Sequence, residues 1–182
     1  MNFTLHTPES APKESKVMLE ASQQAWGMIP NLHGIMAEAP NVLLGYKLLH
    51  DLFQETSFNN DELTVVWLTI NVENQCLYCV PAHTYIAKSM QVDEAIIDAL
   101  RNVKELPTHK LQVLHETTLA LLRDKGKPDE SVLATFYEAG YKNQQLLEIV
   151  LGISQKIMSN YINHLANTPV DKAFAAFSWP ER

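Results

Sequence analysis

The sequence predicts an all-α protein, a single helical domain over residues 1–182. Three observations carry that expectation. Six glycines and few alternating apolar–polar stretches leave little from which to build strands. Apolar residues recur at helical spacing in one segment after another, and Pro, Gly or Asn bound those segments. The hydrophobic share of 46% against 19% charged residues is a globular balance, enough for one core without disulfide support.

The elements follow in order. Pro12 stands near the start of a first helix carrying Val17, Leu19, Ala21, Ala25 and Trp26, and Gly27 closes it. A short helical piece lies between Pro30 and Pro40. An amphipathic helix runs from about Val42 to Phe53, with Leu44, Leu48, Leu49 and Leu52 on one stripe. "SFNNDE" opens the next helix, with Asn59 or Asn60 as N-cap and Asp61 and Glu62 in the first turn. The run Leu63 to Val72 is rich in β-branched residues and would suit a strand on local propensity. No other segment supplies strands for it to pair with, and it joins an acidic helix start, so it is assigned to helix. Further helices are expected at about Asp93–Arg101, Thr108–Lys125, Asp129–Glu138 and Asn143–Asn167, separated by Gly126, Pro128 and Gly140 and ended before Pro169.

Charge and hydropathy exclude several functions. A net charge of −7 argues against nucleic acid or an anionic membrane as partner, because both require a basic face. No apolar run approaches the roughly 20 residues of a membrane span. The start "MNFTLHTPESAPKESK" lacks a basic stretch followed by an apolar one, so no signal peptide is expected and the setting is read as cytoplasmic.

Only two cysteines are present, and both lie in "NQCLYCVPAH": Cys76 and Cys79, with His83 four residues further on. In a reducing compartment such a pair is catalytic or metal-binding more often than a structural staple. Pro81 forces a helix to start or kink near Tyr78, because its ring would clash with the carbonyl four residues back. Cys79 then falls in a first helical turn, where free N–H groups favour a thiolate, with His83 at i+4 to take its proton. Cys76, in the preceding turn, is expected to keep a pKa near the ordinary thiol value of about 8.5. One activated thiol with a second that can close a disulfide on it is the minimum equipment for peroxide reduction or disulfide exchange. A metal-binding Cys/Cys/His site is the alternative, although no second Cys/His pair supplies a fourth ligand. A redox-sensing protein without turnover is a third reading.

These residues resemble the C-x-x-C-x-x-x-H signature of the alkyl hydroperoxidase D-like, or carboxymuconolactone decarboxylase-like, family. "GMIPNLHGIMAEAPNVLLGYKLL" is similar to the segment preceding that signature, and "NYINHLANTPVDKAF" to the C-terminal segment of the peroxidase-related branch. The resemblance implies an all-helical fold assembling into dimers, trimers or hexamers, and thiol-dependent peroxidase or disulfide reductase activity. Small hydroperoxides or disulfides would be substrates, with a thiol reductant or redox partner protein and no cofactor. Carried over by position, Cys79 is the peroxidatic thiol, Cys76 the resolving thiol and His83 a proton relay. The relay glutamate often found twelve residues before the first cysteine is Thr64 here, and Glu62 and Glu73 are the substitutes considered.

Other residues carry weaker signals. Tyr78, between the cysteines, either gates the site or packs with its hydroxyl at the surface. Asn160, Asn163 and His164 form a polar strip on an apolar helix and read as a hydrogen-bonded interface or cap. His115 could reach the site but reads better as a buried histidine, and His6, His33, His50 and His109 give no signal. An oligomer is also expected from the apolar load on nearly every helix, including Trp67, Phe136 and Trp179.

Overall fold

The computed structural model describes residues 3–180. The chain runs through α1 Lys13–Trp26, α2 Asn31–Met36, α3 Pro40–Gln54, α4 Asn60–Glu73 and α5 Cys79–Ser89. It continues through α6 Glu94–Asn102, α7 His109–Arg123, α8 Glu130–Glu138 and α9 Asn143–Ala166 to a 3₁₀ turn at Ala175–Phe177. No strand occurs among the described residues.

Helix α4 is the axis of the fold. Its residues from Glu62 to Asn71 are all buried, and it packs against α5, α6, α7 and α9. A helix enclosed on every side needs no polar face, which explains why Leu63–Val72 lacks helical amphipathicity. Burial there overrides the β-propensity of its side chains. The helix starts at a reciprocal cap. Asn59 Oδ1 accepts from Glu62 N at 2.9 Å, and Glu62 Oε2 accepts from Asn59 N at 3.1 Å. It ends with Gln75 in the left-handed region (φ 51°) and Cys76 N donating to Asn71 O at 3.0 Å. That reversal lifts Cys76 into a turn and launches α5 at Cys79. Pro81 falls in the first turn of α5, where its missing N–H leaves no helical bond unmade.

Helix α9 lies along α3 and α4. Gly152 permits the approach: a Cβ there would stand 2.7 Å from Phe53 Cε2 and 3.0 Å from Val66 Cγ1. Two apolar clusters result. The larger gathers Phe53, Trp67, Leu114, Phe136 and Ile149 around α4, and the smaller gathers Leu19, Leu43, Tyr46 and Phe174 around the two cysteines. Fully burying each such side chain is worth about 1.5–3 kcal/mol.

One premise of the oligomer expectation is corrected. Trp67, Phe136 and Trp179 are 1%, 0% and 7% exposed, consumed by the chain's own packing. The apolar residues left in solvent include Leu44, Leu48 and Leu52 on α3 and Leu147, Val150, Tyr161 and Leu165 on α9. Among the described residues no helix is long and apolar enough to cross a membrane.

Candidate active site

The turn between α4 and α5 and the facing stretch of α9 build one buried polar centre. Cys76 and Cys79 are both free and both buried. The Cys79 backbone N–H donates to Cys76 Sγ at 3.2 Å, so the free amide of this helix start goes to the first cysteine rather than the second. The Cys79 sulfur is held from α9: Asn163 Nδ2 donates to it at 3.1 Å, and its thiol points at Ser159 Oγ, 4.0 Å away. Asparagines brace the turn. Asn160 Nδ2 donates to Asn71 Oδ1 at 2.9 Å, Asn74 Nδ2 donates to Asn160 Oδ1 at 2.9 Å, and Asn71 Nδ2 reaches Cys79 O at 3.5 Å.

His83, one turn along α5, does not meet Cys79 through a hydrogen bond among the described residues. Its Nε2 accepts from Lys156 Nζ at 2.8 Å, its ring packs on Trp67 at 4.9 Å between centroids, and its buried Nδ1 has no partner among the described residues. Trp67 Nε1 donates to Gln155 Oε1 at 2.7 Å, and Gln155 Nε2 donates to His50 Nδ1 at 3.0 Å.

The electrostatics divide the two thiols. Burial opposes a thiolate at Cys79. The Cys76 thiol, the Lys156 ammonium and the amides of Asn160 and Asn163 outweigh it, bringing Cys79 down to about 6. Cys76 departs from the expectation of an ordinary thiol: burial, then the adjoining Cys79 sulfur, push it far up. His83 is held well below the usual histidine range by burial, by Lys156 and by His50, and is therefore neutral.

Each cysteine lines a hollow of its own. Cys79 lines a cavity of about 70 Å³ together with His83, Lys156, His50, Tyr46 and Tyr78. Cys76 lines a separate hollow of about 290 Å³ with Asn74, Gln75, Asn163, His164 and Asn167.

Tyr78 is buried, donating from its hydroxyl to Asp171 Oδ2 at 2.6 Å and accepting from Leu32 N at 3.3 Å. It ties the C-terminal segment to α2 and walls the Cys79 cavity. Glu73 forms a bidentate pair with Arg123, both contacts 2.7 Å, on the far side of α4's end. Glu62 is spent on its cap, the Tyr141 hydroxyl (3.0 Å) and Lys110 (3.0 Å). Neither glutamate is hydrogen-bonded to His83 or a cysteine among the described residues. Thr64 is buried with its hydroxyl unpartnered there. His115 pairs with Thr69 at 2.7 Å, outside the site. Among the described residues no group of three His, Cys, Asp or Glu side chains is placed to hold a metal ion.

Sequence reasoning missed Lys156, Ser159, Gln155, Asn71, His33 and His50. A signal existed for the α9 members: Gly152, Lys156, Ser159 or Asn160, and Asn163 recur at three- to four-residue spacing, a small and polar stripe on an otherwise apolar helix.

The chain has the alkylhydroperoxidase D-like all-helical fold. It superposes on the structure of an alkylhydroperoxidase AhpD core, an uncharacterized peroxidase-related protein from Ralstonia eutropha JMP134, with a TM-score of 0.85 at 17% identity over 95% of this chain and 93% of that one. An uncharacterized peroxidase-related protein from Silicibacter sp. TM1040 gives 0.80 at 17% identity, covering 96% and 92%. The debrominase Bmp8, as an alanine variant in complex with 2,3,4-tribromopyrrole, gives 0.74 at 15% identity, covering 97% and 95%. No protein-family model and no curated protein matches the sequence.

Proposed function

We infer that the chain is an enzyme, a thiol-dependent peroxidase or disulfide reductase that uses Cys79 as attacking thiol and Cys76 as resolving thiol. The observation that carries this reading is the split between them: Cys79 is lowered to about 6 at the wall of one cavity, while Cys76, three residues back, is held protonated beside a separate hollow. The peroxidase-related and debrominase neighbours support an enzyme on this fold.

The Cys79 thiolate attacks the outer oxygen of a small hydroperoxide. The O–O bond breaks, the leaving oxygen takes a proton to become an alcohol, and Cys79 becomes a sulfenic acid. The Cys76 thiol then attacks that sulfur, forming the disulfide; its proton joins the departing hydroxide as water. A thiol reductant or redox partner protein returns both cysteines to the reduced form. With a disulfide substrate, the same thiolate attacks sulfur instead. The working form is a homo-oligomer, a dimer, trimer or hexamer, that covers the apolar residues of α3 and α9. A free dithiol suits a cytoplasmic, antioxidant setting.

The test is a pair of variants. Cys79→Ser should abolish turnover. Cys76→Ser should consume about one equivalent of peroxide and stall as a sulfenic acid. A single turnover kept by Cys79→Ser and lost by Cys76→Ser would reverse the roles.

A further inference from the structure

Beyond its charge beside Cys79, Lys156 has been given no part in the chemistry. Its side chain is 1% exposed in the middle of α9, and among the described residues no carboxylate lies within ion-pairing distance. A buried ammonium without a counter-ion is expensive, and such a group is retained where something compensates its charge. The compensating group lies in the same cavity. Lys156 and Cys79 both line it, and the attraction runs both ways: the ammonium favours the Cys79 thiolate, and the sulfurs of Cys79 and Cys76 offset part of the burial that leaves the lysine below its ordinary value. The third member is His83, whose Nε2 accepts from Lys156 Nζ at 2.8 Å. That bond fixes the tautomer, leaving the imidazole proton on Nδ1, which is buried and unpartnered among the described residues.

We propose that Lys156 is the proton store of the Cys79 cavity, pairing with the thiolate in the resting site and feeding a proton through His83 to the oxygen that leaves. The proposal rests on the peroxidase reading. Cys79 S⁻ bonds to the outer peroxide oxygen as the O–O bond breaks, so sulfur loses two electrons and the peroxide gains them. His83 Nδ1–H protonates the leaving alkoxide, and Lys156 Nζ–H passes its proton to His83 Nε2, leaving a neutral lysine. When Cys76 closes the disulfide and hydroxide leaves as water, Cys76 has given up its own proton to it. Reduction by a dithiol returns two protons, one to Cys76 and one to His83 Nδ1, whose Nε2 proton passes back to Lys156, and this restores the tautomer and the thiolate–ammonium pair. The carboxylate that Thr64 fails to supply is not needed, because the donor comes from α9 instead. The other titratable groups facing this centre are His50, Tyr46, Lys47 and Asp51 from α3, His33 from α2, and Tyr78 and Cys76 from the turn; the Asp51 carboxylate lines the cavity without pairing with Lys156. Both histidines are kept neutral, at about 4 and about 3, so neither competes as proton donor at neutral pH.

Two measurements test it, made in the Cys76→Ser background so that one thiol remains. Ultraviolet thiolate absorbance needs no substrate and reads the charge pairing. In Lys156→Met the Cys79 titration should move up by at least about one pH unit. Lys156→Gln should do the same, and serves if the methionine variant does not fold. Single-turnover oxidation reads the proton. Lys156→Met should lose at least about tenfold more rate with an alkyl hydroperoxide, whose alkoxide must be protonated, than with a peracid, whose carboxylate leaves unaided. An unmoved titration in a folded variant, or equal losses with both oxidants, overturns the proposal. Failure of the peroxidase reading is distinguishable: Lys156-intact protein would then consume no peroxide at all, while the absorbance titration still decides whether Lys156 holds the thiolate.

Discussion

Cys79 draws its thiolate character from side chains rather than from the helix start that precedes it. After Cys76, Lys156 and Asn160, Asn163 contributes too, a neutral amide donating at 3.1 Å to a buried sulfur. Hydrogen bonds to charged groups are worth about 1.5–3 kcal/mol, so Asn163→Ala should raise the Cys79 titration by about one unit. A thiolate absorbance curve on the Cys76→Ser background reads it directly, and an unchanged curve would assign the lowering elsewhere. Glu73→Gln is expected to leave peroxide consumption unchanged, because its partner is Arg123; loss of that largely exposed pair should cost at most about 1 kcal/mol in a denaturant titration. The cysteine pair and His83 could be read from the sequence because they sit within eight residues. The partner of His83 could not, since Lys156 lies 73 positions away and only tertiary packing brings the two together.

Among the elements, α4 and α9 decide the site. The start of α4 was legible because a capping box is a local device; Asn59 accepts from Glu62 and returns the favour within four residues. Its β-branched interior was ambiguous because enclosure on all sides erases the periodicity that marks a helix. Asn59→Ala should cost about 1 kcal/mol of stability with m unchanged in urea. In α9, Gly152→Ala pushes a methyl into Phe53 and Val66, and overpacking of that kind costs about 1–3 kcal/mol. Thermal melts would check it, and a neutral result would mean that α3 yields. Because α9 carries Lys156, Ser159, Asn160 and Asn163, the same substitution should also raise the Cys79 titration.

The molecule as a whole should be acid-labile. Burial first, then nearby lysines, lowers His33 to about 3 and His50 to about 4, and His83 is lowered as well. A base whose folded pKa lies below its unfolded value leaves stability untouched above about 6.5 and removes it as pH falls towards the folded value, because the unfolded chain binds the extra protons. Cys79, an acid lowered to about 6, adds stability above about 8.5 that fades as pH falls through 6. Cys76, raised, removes stability on the alkaline side as the unfolded thiol ionises. Denaturant titrations should therefore show stability falling steadily below pH 6.5, and a profile flat down to pH 4 would mean that these histidines are protonated in place. At the same scale, light scattering at micromolar concentration should show an oligomer; a clean 20.6 kDa species would mean that α3 and α9 keep their leucines in water. The helical architecture was legible as a whole. The placement of its large aromatics was not, since Trp67 and Phe136 mark the centre of the core rather than its outside.

The separate openings beside Cys79 and Cys76 bear on how the enzyme would meter its traffic. On the peroxidase reading, oxidant and reductant would reach the dithiol from different sides, and its state would record which side was served last. Steady-state kinetics should then give parallel lines in double-reciprocal plots. Saturating reductant should leave the apparent affinity for the oxidant free of competition, however far the concentration is raised. Reductant competing against oxidant would mean that both ligands use one mouth, and intersecting lines would mean that both bind before either product leaves.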